Sequence, residues 1–273
     1  MEESIQQIAE RLVCARYAIA LTGAGISTES GIPDFRGPSG VWTLDPDAER
    51  RAYRSYDEFM ENPAGWWQQT LAKGERFSLG DLSQAQPNAG HYALAELDQM
   101  GILKWTITQN IDALHEKAGT QNLLEFHGST AKLRCLSCGS RFRTEEFDFE
   151  KLARENRLPP ACPRCHGLIK TDTVFFGEPI PDDVAERSFK EAKKCDLMLI
   201  CGTSAVVYPF ASLPRIARER KNVIIIEVNA EPTPLTNEGI SDYFLQGKTG
   251  EILPRILEEI KINLKVKEQK SKP

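Results

Sequence analysis

The chain has 273 residues, 41% hydrophobic and 27% charged, with a net charge of −5. That length can bury a substantial core in one large domain or two smaller ones. The acidic balance gives no general ground for nucleic-acid binding, and no apolar run approaches the roughly 20 residues that cross a bilayer.

The opening Met1-Glu2-Glu3-Ser4 lacks the basic and apolar regions of a secretion signal, so a cytoplasmic location is expected. Ile5, Ile8, Leu12 and Val13 mark the apolar face of a first helix. Tyr17 to Leu21 is a short apolar run of strand length, and it stops at Gly23-Ala24-Gly25. A strand entering such a turn can aim backbone N–H groups and a helix start at an anion. The third glycine of the dinucleotide fingerprint is replaced by Thr28, so a phosphate site and a plain strand–helix turn both remain open. A Gly- and Pro-rich loop follows, from Gly31 to Gly40. No second strand ending in an acidic residue appears where an ordinary dinucleotide fold places one. Residues 45–81 read instead as an insertion over the sheet edge, helical around Tyr56–Met60 and Ala64–Lys73.

Asn88 caps a helix carried by Ala93, Leu94, Leu97 and Met100 and ended by Gly101. Leu103–Thr108 is a strand, followed by Gln109-Asn110-Ile111-Asp112 and a short helix ending near Gly119. Leu123–Phe126 is another strand, ending at His127-Gly128. Residues 132–169 break the α/β rhythm. It resumes with strand Thr173–Phe176, helix Asp182–Lys193, strand Leu197–Cys201, helix Phe210–Arg220, strand Val223–Val228, strand Tyr243–Leu245 and helix Glu251–Ile260. The Lys-rich tail, 263–273, has too little apolar surface to pack and is expected to be disordered. The alternation predicts an α/β, Rossmann-like parallel sheet covered by helices on both faces, built from 1–40, 85–130 and 172–262. A helical insertion occupies 41–84 and a small metal module 131–171.

Seven cysteines, an odd number with no secretory context, argue against a disulfide framework. Four of them form two Cys-x₂-Cys knuckles, Cys135/Cys138 and Cys162/Cys165, separated by 23 residues. Four thiolates suit one tetrahedral Zn²⁺. An iron–sulfur cluster is the competing reading, and the paired spacing favours zinc. Four protein ligands leave no open position, so the metal is expected to be structural. Arg134, Arg141, Arg143 and Arg164 lie nearby, but Glu145, Glu146, Asp148 and Glu150 balance them, so a solvated face is expected and not a nucleic-acid surface.

Parallel-sheet enzymes bind ligands beyond the carboxyl ends of their strands. Those ends here carry Gly23-Ala24-Gly25, Gln109-Asn110-Ile111-Asp112, His127-Gly128, Gly202-Thr203-Ser204 and Asn229, which points to a polar, phosphate-bearing ligand. His127 directly follows an apolar strand at the crevice edge, and an imidazole of ordinary pKa near 6.5 suits proton transfer. His91, His115 and His166 read as bystanders.

Gly23-Ala24-Gly25-Ile26-Ser27, Gly31-Ile32-Pro33-Asp34-Phe35-Arg36, Thr108-Gln109-Asn110-Ile111-Asp112, His127-Gly128, the cysteine pairs, Phe175-Phe176-Gly177-Glu178 and Gly202-Thr203-Ser204 occur in this order. In this the chain resembles the sirtuins, NAD-dependent protein-lysine deacylases, from about residue 5 to residue 260. The resemblance implies that Gly23, Ala24, Gly25 and the loop through Arg36 wrap the pyrophosphate and nicotinamide ribose of NAD. Asp34 and the backbone near Ile32 would hold the nicotinamide amide, and Phe35 would cover the reacting sugar. Gln109, Asn110 and Asp112 would contact ribose and nicotinamide, while Gly202, Thr203, Ser204, Asn229 and Thr249 would hold the adenosine half. His127 would be the general base and Asn110 its catalytic companion. The acyl oxygen would attack C1′ as nicotinamide leaves, giving an alkylimidate. The base-activated 2′ oxygen then attacks, and free lysine and 2′-O-acyl-ADP-ribose follow. An extended acyl-lysine peptide would lie between Val174-Phe175-Phe176-Gly177-Glu178 and Val206-Val207-Tyr208.

Relatives that prefer acidic acyl groups carry Tyr-x-x-Arg in the insertion. This chain has none, so a neutral acyl group, acetyl first, is expected. The resemblance further implies a monomer. An NAD-linked dehydrogenase is disfavoured by Thr28 and by the missing acidic second strand. A non-catalytic zinc-ribbon module leaves His127 and Asn110 unexplained. Within the family the alternative is mono-ADP-ribosyl transfer to protein as a minor activity, and retention of His127 argues for deacylation as the main one.

Overall fold

The structure, a computed structural model, describes residues 2–73, 82 and 84–270. The last part of the expected 41–84 insertion therefore falls largely outside the described residues. Among those described, nine strands form: β1 (Ala18–Thr22), β2 (Leu103–Thr108), β3 (Leu123–Glu125), β4 (Lys132–Cys135), β5 (Arg141–Arg143), β6 (Ile169–Thr171), β7 (Leu197–Cys201), β8 (Ile224–Asn229) and β9 (Tyr243–Gln246).

Six of them make one all-parallel sheet in the order β3-β2-β1-β7-β8-β9. The chain builds outward from β1 in one direction, then crosses to β7 and builds the other way. β1 and β7 are the central pair, and every residue of both is buried. That is why they read as unbroken apolar runs and not as alternating ones. Side chains still alternate between faces. Ala18 and Ala20 join Ile5, Ile8, Leu94, Leu97, Leu253 and Ile256 on one side, packed by the helices Glu2–Cys14, Ala89–Gln99 and Thr249–Lys270. Ile19 and Leu21 join Phe126, Phe210 and Leu213 on the other. The small residues at 18 and 20 let those three helices approach the sheet closely.

β4, β5 and β6 form a separate antiparallel sheet in the order β5-β4-β6. Its core does not stand alone. Leu133, Cys135, Phe142, Cys162 and Ile169 pack with Phe59 and Trp67 from the helices Pro46–Glu61 and Pro63–Lys73, and the Trp67 indole donates to the Ile169 carbonyl at 3.0 Å.

Three expectations change. The first insertion helix begins at Pro46, ten residues before Tyr56, because the Asp45 carboxylate accepts from the N–H groups of Asp47 and Ala48 and proline takes the first helical position. Thr173–Phe176 is no strand: only one of its backbone N–H groups, that of Val174, meets a neighbouring chain segment. The closing helix does not stop at Ile260 but runs from Thr249 to Lys270, so the segment expected to be disordered is helical through Lys270. Lys, Gln and Glu are good helix formers, and a helix already nucleated on a buried face extends through them.

Candidate active site

The crevice opens where β1 and β7 diverge. Beyond β1 the chain enters a tight helical turn, Ala24–Ser30, and beyond β7 it turns at Gly202 with φ +62°. Gly25 donates its N–H to the Gly202 carbonyl at 2.8 Å. A Cβ on Gly25 would sit 2.8 Å from the Gly202 backbone, and one on Gly202 would sit 2.3 Å from the Ile26 nitrogen. The two turns therefore meet backbone to backbone, which only glycine allows. Gln109, at the end of β2, closes the floor by donating from Nε2 to Thr203 Oγ1 at 2.7 Å.

A cleft of about 1230 Å³ runs over this floor. The expected residues Ala24, Gly25, Ile32, Asp34, Phe35, Arg36, Gln109, Asn110, Asp112, His127, Gly202, Thr203, Ser204, Asn229 and Thr249 all line it, as do Val174–Glu178 and Val206–Tyr208. Gly23 lies just beneath the lining. Its carbonyl accepts from Asn110 Nδ2 at 3.1 Å. Asp34 ties its own loop by accepting from the Gly37 N–H at 2.8 Å, and Phe35 packs against Trp42 with ring centres 4.8 Å apart and planes tilted by 46°.

His127 is half-buried at the centre. Its Nδ1 lies 3.2 Å from the Gln109 carbonyl. A carbonyl can only accept, so Nδ1 carries the proton and Nε2 keeps its lone pair. Burial pushes the imidazole down to about 4, the Gln109 contact opposing only in part. The ring is thus a neutral base throughout the physiological range, not one that titrates near neutrality.

Behind it lies a buried group in which sequence reasoning missed Ser27. The Ser27 hydroxyl donates to Asp112 Oδ2 at 2.6 Å and accepts from Asn110 Nδ2 at 3.0 Å, with His91 Nε2 at 3.5 Å. Burial raises the Asp112 carboxyl, while Ser27 and the Leu114 N–H oppose that shift. His91 and His115, read as bystanders, sit under this group with rings 4.9 Å apart, and His115 Nε2 is 2.9 Å from Thr22 Oγ1. Burial holds both imidazoles below their ordinary value, His91 at about 4. Their spacing along the chain carries no sign of this pairing, which arises because two helices converge on the end of β1.

The end of the cleft at Thr249 fits an added ligand. Thr249 Oγ1 is buried and has no partner among the described residues, at the start of a 22-residue helix whose first turn faces the cleft. An orphaned hydroxyl, a helix start and a glycine cradle together suit a phosphate-linked nucleoside such as NAD. At the Val174–Glu178 edge of the cleft, Val174 donates its N–H to the His127 carbonyl at 2.8 Å. The Val174 carbonyl and the Phe176 N–H have no partner among the described residues, so part of this backbone edge is open. Val206 and Tyr208 face it, 40% and 65% exposed.

The four knuckle sulfurs lie within 4.8 Å of one another, Cys135–Cys165 at 3.5 Å and Cys138–Cys162 at 3.8 Å. Tetrahedral zinc with Zn–S of about 2.3 Å requires sulfurs about 3.8 Å apart. The cluster fits a closed structural Zn²⁺ held by Cys135, Cys138, Cys162 and Cys165. We expect one zinc per chain by elemental analysis, and metal removal should lower the melting temperature, because a structural zinc site contributes on the order of 10 kcal/mol. An unchanged melting curve after complete chelation would show that the sulfurs hold no structural metal.

This strand order, the crevice at its switch point and the closed four-thiolate module define a nucleotide-binding α/β protein with a metal-stapled lobe. The Sir2 family profile matches residues 23–209, and the chain belongs to that family. It is 41% identical to an NAD-dependent protein deacylase of Pyrococcus abyssi, over 94% of this chain and 98% of that one. It is 43% identical to NAD-dependent protein deacylase 2 of Archaeoglobus fulgidus, over 96% and 98%. Among solved structures, a Sir2 homolog–NAD complex aligns with a TM-score of 0.73 at 38% identity, covering 95% of this chain and 94% of that one. A Sir2–p53 peptide–NAD+ complex aligns with 0.73 at 32% identity, over 94% and 99%.

Proposed function

We propose that this protein is an NAD-dependent protein-lysine deacylase that removes a neutral acyl group, acetyl first, from an extended peptide. The observation that carries the reading is the neutral His127. Its Nδ1 is tethered to Gln109, and its free Nε2 shares one cleft with the glycine cradle and the open edge at Val174–Phe176. The names of the Pyrococcus and Archaeoglobus relatives and the peptide–NAD+ complex support it.

When bound, NAD supplies an activated ribose carbon and nicotinamide as leaving group. Gly23, Ala24, Gly25 and Gly202 bring backbone close to its pyrophosphate, and Ser204, Asn229 and Thr249 hold its adenosine half. Asp34 and Ile32 take the nicotinamide amide, and Gln109, Asn110 and Asp112 the ribose. Phe35 covers the reacting sugar against water, because hydrolysis competes with acyl transfer. His127 Nε2 would take the proton of a ribose hydroxyl of the bound NAD, which is the base role this chain supplies. Val174, Phe176 and the facing Val206–Tyr208 take the peptide backbone as an added strand. None of the four cysteines lines the cleft, so zinc held there would be structural and take no part in the chemistry. In this reading the enzyme is a cytoplasmic monomer acting on acyl-lysine proteins, with no specific nucleic-acid contact. Among the described residues no helix is long and apolar enough to cross a membrane.

The acyl preference rests on charge. Arg51 lines the helical wall of the cleft and pairs with Asp45 at 2.7 Å, while Arg36 pairs with Glu49 at 3.4 Å. Both are exposed surface pairs, with the arginine side chains 66% and 42% exposed, and neither arginine has the tyrosine three residues before it that completes the carboxylate-holding pair of relatives preferring acidic acyl groups. With NAD and matched peptides, acetyl-lysine should turn over at least about tenfold faster than succinyl-lysine, because no Tyr-x-x-Arg pair is present to hold the distal carboxylate. Mass detection should show nicotinamide and O-acyl-ADP-ribose. NADH absorbance, or ADP-ribose attached to protein without deacylation, would sink the reading.

A further inference from the structure

The segment that borders the peptide side of the cleft is held from below by a buried ion cluster. Lys170 on β6 is fully buried. Its ammonium has three donors and three acceptors: the Thr171 carbonyl at 2.9 Å, the Thr173 carbonyl, and Glu178 Oε2 at 3.0 Å. The same nitrogen lies 4.0 Å from the centre of the Phe175 ring. Arg134, the register partner of Lys170 on β4, donates to Glu178 Oε1 at 2.5 Å and to Asp172 Oδ1 at 2.8 Å. Arg141 on β5 completes the chain, bridging Asp172 at 3.0 Å to Asp183 at 2.8 Å on the helix Asp182–Lys194. Burial pushes Lys170 down to about 8, with Glu178 opposing, so it stays charged at neutral pH.

The sequence reading placed Glu178 against the peptide. Its carboxylate instead faces inward, 2% exposed, with Oε1 taken by Arg134 and Oε2 by Lys170 and the Phe175 N–H at 3.0 Å. Lys170 and Glu178 therefore fix the direction of successive backbone groups. The Thr173 carbonyl and the Phe175 N–H turn down into the cluster. The Val174 N–H reaches the His127 carbonyl, while the Val174 carbonyl and Phe176 N–H, on residues that line the cleft, have no partner among the described residues. Each sheet strand of the metal module contributes one cation to this cluster, and none of the three reaches the catalytic imidazole.

We propose that Lys170, acting through Glu178 and the Thr173 carbonyl with Arg134 in support, is a positioning residue for the acyl-peptide. It holds the Val174–Phe176 edge in register with His127, and through it the metal module sets peptide affinity. This rests on the deacylase reading above. Without the ammonium, the Thr173 carbonyl loses its buried partner and Glu178 Oε2 keeps only the Phe175 N–H, so the segment must turn to find another.

Steady-state kinetics of the zinc-loaded enzyme test this, with peptide and NAD varied separately. Lys170→Met should raise KM for the acetyl-lysine peptide at least about tenfold, since small misplacements at a docking edge are felt strongly. Affinity for NAD, read by calorimetry without peptide, should stay within about threefold. Lys170→Arg, which keeps the charge, should recover part of the peptide KM. Should the Met variant fail to fold or to retain zinc, Glu178→Gln carries the test, with the same one-sided rise in peptide KM expected. Unchanged peptide KM in a folded, zinc-loaded variant overturns the proposal, as does an equal loss toward NAD and peptide, which marks a scaffold role only. Failure of the unmodified protein to deacylate any peptide would instead overturn the functional reading.

Discussion

Replacing His127 by alanine is expected to cut deacylation by at least about 10²-fold, the usual scale of a lost general base. NAD affinity should stay within about twofold, because the ring lies off the glycine cradle and its one hydrogen bond reaches the carbonyl of Gln109. Measurement of kcat against a direct NAD titration separates the two. Near-normal turnover would remove His127 from the mechanism. The pH profile adds a second check. Burial lowers the imidazole to about 4. The base works only when unprotonated, so the His127 limb of kcat/KM should be flat from neutrality down and fall only as pH drops through about 4. A limb near 6.5, the ordinary histidine value, would mean that the ring is solvated in the working enzyme.

Gly202→Ala is expected to be comparably severe for a different reason. At φ +62° an L-residue is strained, and the new Cβ would lie 2.3 Å from the Ile26 nitrogen and 2.6 Å from the Gly25 carbonyl carbon. Both obstacles are backbone, so no side chain can swing aside. The two turns that meet across β1 and β7 must part. Destabilisation of about 2–4 kcal/mol is expected from strain and overlap together. NAD affinity should fall at least about 10²-fold, since displacement of a binding turn by an ångström is enough for that. Thermal melting and calorimetric NAD titration read the two effects. Retention of NAD affinity within tenfold would show that the ligand does not use this turn.

Both variants act at points that were readable in different degrees. Gly25 and Gly202 each stood at the end of an apolar run, so their separate turns were legible. That they oppose one another depends on β1 and β7 being neighbours in the sheet. The cysteine pairs were legible as a unit because four ligands at that spacing have few other uses. Their sharing of a core with Phe59 and Trp67 was not, since those residues come from a segment more than sixty residues earlier. The cap at Asp45 and the proline after it are local signals for a helix start at Pro46, ten residues ahead of the apolar stretch at Tyr56–Met60. The tail was judged by its composition alone, and the helix it continues supplied the nucleus that composition does not reveal.

The chain by itself determined the parallel α/β architecture, the thiolate module and the set of polar residues at the strand ends. Each is written in local periodicity or spacing, over at most some thirty residues. Only the tertiary structure decided that burial holds the His127 imidazole well below its ordinary pKa, that Ser27 joins Asn110 to Asp112, and that Glu178 turns inward to Lys170 and Arg134. The physical reason is that burial and charge act through space. The dielectric around an imidazole or an ammonium is set by elements brought together from across the chain, and no local window of residues contains that sum.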